Sequence, residues 1–207
     1  MTPVQYGLVA LTAYLIGSFS FGIVISSTKG RDIRQEGSKS SGATNVTRVL
    51  GISYGVMTFL GDFIKAATAL GAGALIAGHD GALVASVFVV IGHNWPIYYG
   101  FKGGKGIVCS VAVVLLLYPL EGILASLAAI GVIWLSRYVS LGSLTYLIVS
   151  AVTLMLTRGP VPHGLWAVIL LALGIFQHRS NIQRLVRGKE NKFSLKRPRS
   201  PGVNTPG

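Results

Sequence analysis

Acidic side chains are scarce in this chain: six Asp and Glu stand against 18 Lys and Arg among 207 residues, a formal net charge of +12. Chemistry that needs paired carboxylates is poorly provided for. So is metal ligation, because the four histidines are scattered with no paired carboxylates to help them; neither metal nor cofactor is expected. The single cysteine, Cys109, excludes an intrachain disulfide and a cysteine-based metal cluster, and reads as a small core residue of a helix. The first 25 residues have no positive region ahead of their apolar run, which makes them a retained helix rather than a signal peptide. A Walker A loop is missing too: Tyr99 stands where its first glycine belongs, and Lys105 is followed by Gly106 instead of Ser or Thr. Nucleotide hydrolysis is thereby excluded.

What the chain has in abundance is apolar length. Half of it is hydrophobic, the mean hydropathy is +0.63, and the charges fall in the gaps between runs of about 20 apolar residues. A basic nucleic-acid-binding domain would spread Lys and Arg over an amphipathic surface, so no nucleic-acid partner is expected. The expected spans are 4–25, 51–78, 82–99, a hairpin of two short helices within 107–134 interrupted by Pro119, Glu121 and Gly122, then 144–156 and 164–176. Gly78-His79-Asp80-Gly81 reads as a tight turn, with His79 a solvated turn residue. The fold class is all-α, a polytopic integral membrane protein of about seven transmembrane helices. Residues 1–193 form the membrane domain and 194–207 a basic, disordered tail.

Seven crossings place Lys29 to Arg48, Lys102 with Lys105, Arg137 and the basic C-terminal region on one face; the other receives Arg158 as its only basic residue. The positive-inside tendency makes the first face cytoplasmic, with the N-terminus out and the C-terminus in. Four polar stretches then share one interface: the loop around Gly37 to Asn45, the segment Gly92 to Gly106, the Ser136–Ser143 connection and His178 to Asn181. Glycines let backbone N–H groups approach an anion, and lysines add point charges suited to phosphate. A substrate bringing its own negative charge, for instance two phosphate groups, fits such a face.

Other motifs explain less. Gly51-Ile52-Ser53-Tyr54-Gly55 has the letters of a nucleophile elbow but no strand ahead of it, so close helix packing is the better reading of those glycines. Asn45-Val46-Thr47 is a glycosylation sequon on a cytoplasmic loop, where it has no meaning. Asp62 and Lys65 sit i,i+3 inside an apolar span and can pair there, more as a clamp than as a site. No histidine is followed five positions on by Asp, so the His-x4-Asp signature of one acyltransferase class is absent. An organic-phosphate exchanger would want polar residues at the bilayer midplane and a path to both faces, whereas the outward loops are short and nearly bare. A scaffold for acidic lipids leaves the serine-glycine loop unexplained.

Taken in order, Gly37-Ser38 to Gly42-Ala43-Thr44-Asn45-Val46 with Arg48, Gly92-His93 to Pro96 with Gly100 to Gly106, Arg137 to Leu141, and His178 to Ile182 with Arg184, Leu185, Gly188 and Glu190 form four motifs. Together they resemble the bacterial membrane glycerol-3-phosphate acyltransferases that use acyl phosphate as donor. Gly61-Asp62-Phe63-Ile64-Lys65 is similar to a further element of that family. The resemblance implies transfer of a fatty acyl group to the 1-hydroxyl of sn-glycerol 3-phosphate, giving 1-acyl-sn-glycerol 3-phosphate and phosphate, the first acylation of phospholipid synthesis. It implies a monomer in the bacterial inner membrane, in contact with lipid, with the active site on the cytoplasmic face. It carries Ser38, Arg48, Lys105, His178 and Asn181 over as active-site groups. Gly37, Gly42, Thr44, Asn45, Gly103, Gly104 and Gly106 would bind phosphate, chiefly through backbone N–H groups, and Ser143 would complete the shell. Lys102 reads equally as a phosphate ligand or an interfacial anchor, and the proton acceptor as His178 or a substrate phosphate. Glu190 is expected to be a structural partner for a nearby arginine.

Overall fold

The computed structural model describes residues 2–193, and the basic stretch 194–207 lies outside them. Among the described residues the secondary structure is helical, without strands. Helix α1, Pro3–Ser18, starts with proline in its first turn behind a capping box in which Thr2 and Gln5 exchange side-chain and backbone bonds. Phe19 and Ser20 leave the helical conformation before α2, Phe21–Ser27, so the first apolar run is broken in its last third. Helix α3, Ala43–Leu50, lies where the sequence suggests loop. It begins at Gly42 and ends at Gly51, whose φ of 102° suits glycine.

Helix α4, Ile52–Asn94, contains two helical arms joined at Ala77 and Gly78, the latter at φ 61°. The expected turn over Gly78–Gly81 is therefore a sharp kink, with residues 79–81 already helical. Gly73 and Gly81 face each other across it, and a Cβ on either would overlap the other's carbonyl. A short turn at Ile97–Tyr99 leads to α5, Ile107–Leu117. Pro119 then opens α6, Pro119–Ser136, as its first residue, where a missing N–H costs nothing. The hairpin is thus unequal, 11 and 18 residues. Helix α7 is Val139–Arg158, five residues longer at its start than expected, so Ser140 and Ser143 belong to a helix and not to a polar connection. Helices α8, Leu165–Gln177, and α9, Arg179–Val186, complete the fold.

Among the described residues, five stretches are long and apolar enough to cross a membrane: Pro3–Ser27, Ile52–Tyr99, Pro119–Ser136, Val139–Arg158 and Pro160–Gln177. Helix α5 is shorter, about 17 Å at 1.5 Å per residue. The core holds Val9, Ala66, Val89, Cys109, Val113, Leu147 and Leu170, while Leu75, Trp134 and Leu156 stand at least 80% exposed, as side chains facing lipid do. Helix α1 packs on the second arm of α4 with glycine on both sides: a Cβ at Gly17 would strike the Val89 carbonyl, and one at Gly92 the Tyr14 carbonyl. Gly55 likewise admits Thr47 of α3, in keeping with the packing reading of that glycine.

The chain's breaks gather in two groups. In one, Tyr118 between α5 and α6 shares its hydroxyl with His163 Nδ1 at 2.6 Å and His79 Nε2 at 3.4 Å, so His79 is exposed yet partnered. There Glu121 is buried and takes bonds from Arg158 Nε at 2.9 Å and Thr157 at 2.7 Å, and nearby Gln5 reaches Ile76 O at 3.4 Å. The other group joins the remaining breaks around a cavity.

Candidate active site

Two segments from opposite parts of the sequence are tied together at the rim. Ser41 N–H donates to Gly103 O at 3.4 Å, and Arg34 Nη1 to Tyr99 O at 3.2 Å. The first segment is held in shape by one side chain. Asn45, buried on α3, accepts Ser38 N–H at 2.7 Å and donates through Nδ2 to the carbonyls of Ile33, Glu36 and Ser40 at 2.9–3.2 Å. Gly37, at φ 57°, passes so close that a Cβ would overlap Asn45 Oδ1. The segment after α9 closes the opposite rim: Phe193 N–H bonds Arg137 O at 2.7 Å, which brings Glu190 and Asn191 against the opening.

Between these walls lies a cavity of about 470 Å³. Its polar end carries Ser38, Thr44, Arg48, Lys105, His178 and Asn181; its apolar arm runs between α5, α6 and α7 past Val111, Leu115, Ala129, Ile130 and Ile133. Lys105 Nζ bonds Asn181 Oδ1, Asn181 Nδ2 bonds Glu190 Oε1 at 2.8 Å, and Glu190 Oε2 takes Arg184 Nε at 2.8 Å. This chain fixes the amide of Asn181 between a cation and a carboxylate. Burial pulls Lys105 down to about 8, helped by Arg184 and Arg48 and opposed by Glu190. His178, 2% exposed, donates Nδ1–H to Gly174 O at 2.8 Å. Burial and then the charge of Lys105 lower it to about 4, so it is neutral at pH 7 with the Nε2 lone pair free to accept.

A cationic pocket continuous with an apolar arm can hold a phosphorylated head and a lipid tail at once. Known proteins share the sequence pattern and the fold. The family model for glycerol-3-phosphate acyltransferase matches residues 7–188. The chain belongs to the glycerol-3-phosphate acyltransferase family. Relatives include glycerol-3-phosphate acyltransferases of Halalkalibacterium halodurans, 42% identical over 92% of this chain and 96% of the relative, and of Aquifex aeolicus, 41% identical over 87% and 95%. The solved structure of PlsY (YgiH), an integral membrane glycerol 3-phosphate acyltransferase, superposes in its glycerol 3-phosphate form with a TM-score of 0.86 at 38% identity, covering 91% of this chain and 96% of that one. Its lysophosphatidic acid form gives 0.83, also at 38% identity, covering 92% and 96%. Membership makes this an integral membrane acyltransferase of glycerol 3-phosphate, with a place in phospholipid synthesis.

All five family-derived active-site residues line the cavity, as do Gly42, Thr44, Asn45, Gly106 and Ser143. Thr44 N–H stands in the first turn of α3 with no backbone acceptor among the described residues, free for an anion. Five of the residues expected to bind phosphate are placed in other ways. Asn45 N–H already bonds Gly42 O at 3.0 Å, so its contribution is the side-chain scaffold described above. Gly104 N–H bonds His93 O at 3.1 Å, and Gly103 and Gly104 lie outside the cavity, pressed against the end of α4 where a Cβ would overlap the carbonyl or ring of His93. Gly37 serves the turn beside Asn45 and does not reach the cavity. Lys102 is exposed and off the lining. Glu190 is the structural partner of Arg184, as expected. Asp62 and His93 line the cavity without having been expected there; a histidine beside the glycine-lysine segment and a carboxylate inside an apolar span were the signals available.

Proposed function

We propose that the chain transfers a fatty acyl group from acyl phosphate to the 1-hydroxyl of sn-glycerol 3-phosphate, forming 1-acyl-sn-glycerol 3-phosphate and phosphate. The observation carrying this reading is the single cavity whose cationic end, with Arg48 and Lys105, opens into an apolar arm beside α5, α6 and α7. Acyl-CoA would bring a bulky nucleotide that the chain offers no motif to hold, whereas acyl phosphate brings a second small anion.

In the reaction, the hydroxyl oxygen attacks the acyl carbonyl carbon. The new ester C–O bond forms, the bond from the carbonyl carbon to the phosphate oxygen breaks, and phosphate leaves with the electron pair. A mixed anhydride has a good leaving group, so positioning and charge stabilisation suffice without an enzyme nucleophile. Arg48 and Lys105 hold phosphate oxygens, Ser38 and Thr44 N–H complete that shell, and Asn181 is held rigid beside the reacting hydroxyl. The hydroxyl proton goes to His178 Nε2 or to a phosphate oxygen. Turnover of His178→Gln separates the two: near-normal rates remove His178 as base.

Further parts of the reading follow from the alternation of the two groups of breaks. Each apolar segment, with α4 divided at its kink, leads from one group to the other, which supports seven crossings, N-terminus out and C-terminus in, with the cavity at the cytoplasmic face of a bacterial inner membrane. We read the protein as a working monomer. Residues 1–193 constitute the membrane domain. The deciding assay incubates purified protein with palmitoyl phosphate and labelled glycerol 3-phosphate and follows lysophosphatidate and phosphate. Product from acyl-CoA or acyl carrier protein, with none from acyl phosphate, overturns the donor.

A further inference from the structure

Beneath the cavity, Lys65 is 4% exposed inside the first arm of α4, yet its Nζ is surrounded by acceptors: Phe19 O at 2.7 Å, Asp62 Oδ1 at 2.9 Å, His93 Nδ1 at 3.0 Å and Gly17 O at 3.1 Å. A clamp between two helix turns would need only the Asp62 contact. The other three reach separate elements. Gly17 and Phe19 are the last carbonyls of α1, left without helical partners at the break, and a lysine there caps them. His93 ends the second arm of α4. His93 Nδ1 also lies 3.6 Å from Asp62 Oδ1, so the three side chains form one buried cluster.

Both outward branches end on substrate segments. On one side, His93 O takes Gly104 N–H, and the His93 ring fills the space that a Cβ of Gly104 would need, one residue before Lys105. On the other, the capped break aims α2 so that Gly22 lies directly against the Ser41 carbonyl of the serine-glycine loop, with no room for a Cβ. Ser41 N–H then closes the circuit on Gly103 O.

We propose that Lys65, with Asp62 and His93, is a positioning hub that sets the Ser38–Arg48 wall of the cavity relative to Lys105. The hub acts through the loops: Lys65 is absent from the cavity lining, and Asp62 and His93 form its floor. Phosphate binding depends on that separation because two cations on different loops must meet one substrate, and misplacement by an ångström costs on the order of 100-fold. This inference rests on the acyl-transfer reading above. Failure of the wild-type protein to form product would overturn that reading, whereas the variants below test the hub.

The test uses full-length protein in detergent, with kinetics in both substrates alongside thermal midpoint and size-exclusion profile. Lys65→Met combined with Asp62→Asn removes both charges together, so no unpaired buried charge remains. The expected result is a folded, monodisperse protein whose KM for glycerol 3-phosphate rises about tenfold or more with a smaller change in kcat; Asp62→Asn alone leaves the Lys65 charge buried without its partner and is the harsher change to stability. A purely structural role would lower the folded fraction and leave KM unchanged, and that outcome overturns the proposal. A second measurement does not depend on the buried pair. Gly104→Ala collides with the His93 ring and raises the same KM, and adding His93→Ala makes room and recovers part of the loss. Additive losses in the two-residue variant overturn the buttressing of Gly104 by His93.

Discussion

Acidification should destabilise this protein through one residue more than any other at the membrane edge. His178 is held near 4 in the fold, first by burial and then by Lys105, against about 6.5 for the ordinary imidazole. Its folded value is depressed, so between about pH 6.5 and 4 the unfolded chain takes a proton that the folded chain refuses, and stability falls as pH falls through that window. The gap of about 2.5 pK units is worth roughly 3 kcal/mol in total, present above pH 6.5 and lost by pH 4. For a chain of this size that is a fall of about 6–12 °C in thermal midpoint. The assay compares thermal midpoints of detergent-solubilised wild type and His178→Gln from pH 7.5 to 4. Other groups titrate alike in both proteins, so the wild type should lose that margin relative to the variant. Curves that stay parallel would refute the assignment of a buried neutral imidazole. Saturating glycerol 3-phosphate places negative charge near the ring and raises its folded value, so it should narrow the window from below and shrink the lost margin.

Three further outcomes follow. Arg48→Ala removes charge-assisted bonds to phosphate worth about 1.5–3 kcal/mol, so kcat/KM should fall about 10- to 150-fold; near-normal kinetics with glycerol 3-phosphate would dismiss Arg48 as a ligand. Lys105, drawn down to about 8, is charged below that pH; KM for glycerol 3-phosphate should be flat below pH 8 and climb by up to tenfold per unit above it, and Lys105→Arg should flatten the rise. Ala129→Phe fills the apolar arm between α5 and α7, so kcat/KM should drop more for palmitoyl phosphate than for a short-chain acyl phosphate, which progress curves with each donor would reveal.

The apolar segments and the gathering of four motifs were legible because hydropathy and charge placement act over long windows and need no partner. What escaped depends on partners or on short-range geometry. The α3 helix did carry a local signal, since Val46, Val49 and Leu50 have helical spacing between Gly42 and Gly51; the density of charge around it argued for loop instead. At Gly78 the sequence reads turn, and only the mutual contact of Gly73 and Gly81 turns the break into a kink that leaves residues 79–81 helical. Ser140 and Ser143 looked like a polar connection, but each faces the cavity from the first turns of α7, and Ser143 satisfies its hydroxyl on Val139 O at 2.9 Å.

The glycines make the clearest case. A glycine-lysine run invites the inference that every N–H in it meets an anion, yet of Gly103, Gly104 and Gly106 only Gly106 lines the cavity. Gly103 and Gly104 are small because α4 ends against them, and that pressure is itself what holds Lys105 in place. Glycine therefore acts here at one remove from the ligand. The same logic applies to Gly37 beside Asn45 and Gly22 beside Ser41, where missing side chains let the scaffold approach the loops that carry Ser38 and Arg48. A site that must neutralise phosphate with few cations gains most from fixing those cations rigidly, since a charge on a mobile loop loses to ordering entropy what it gains by attraction.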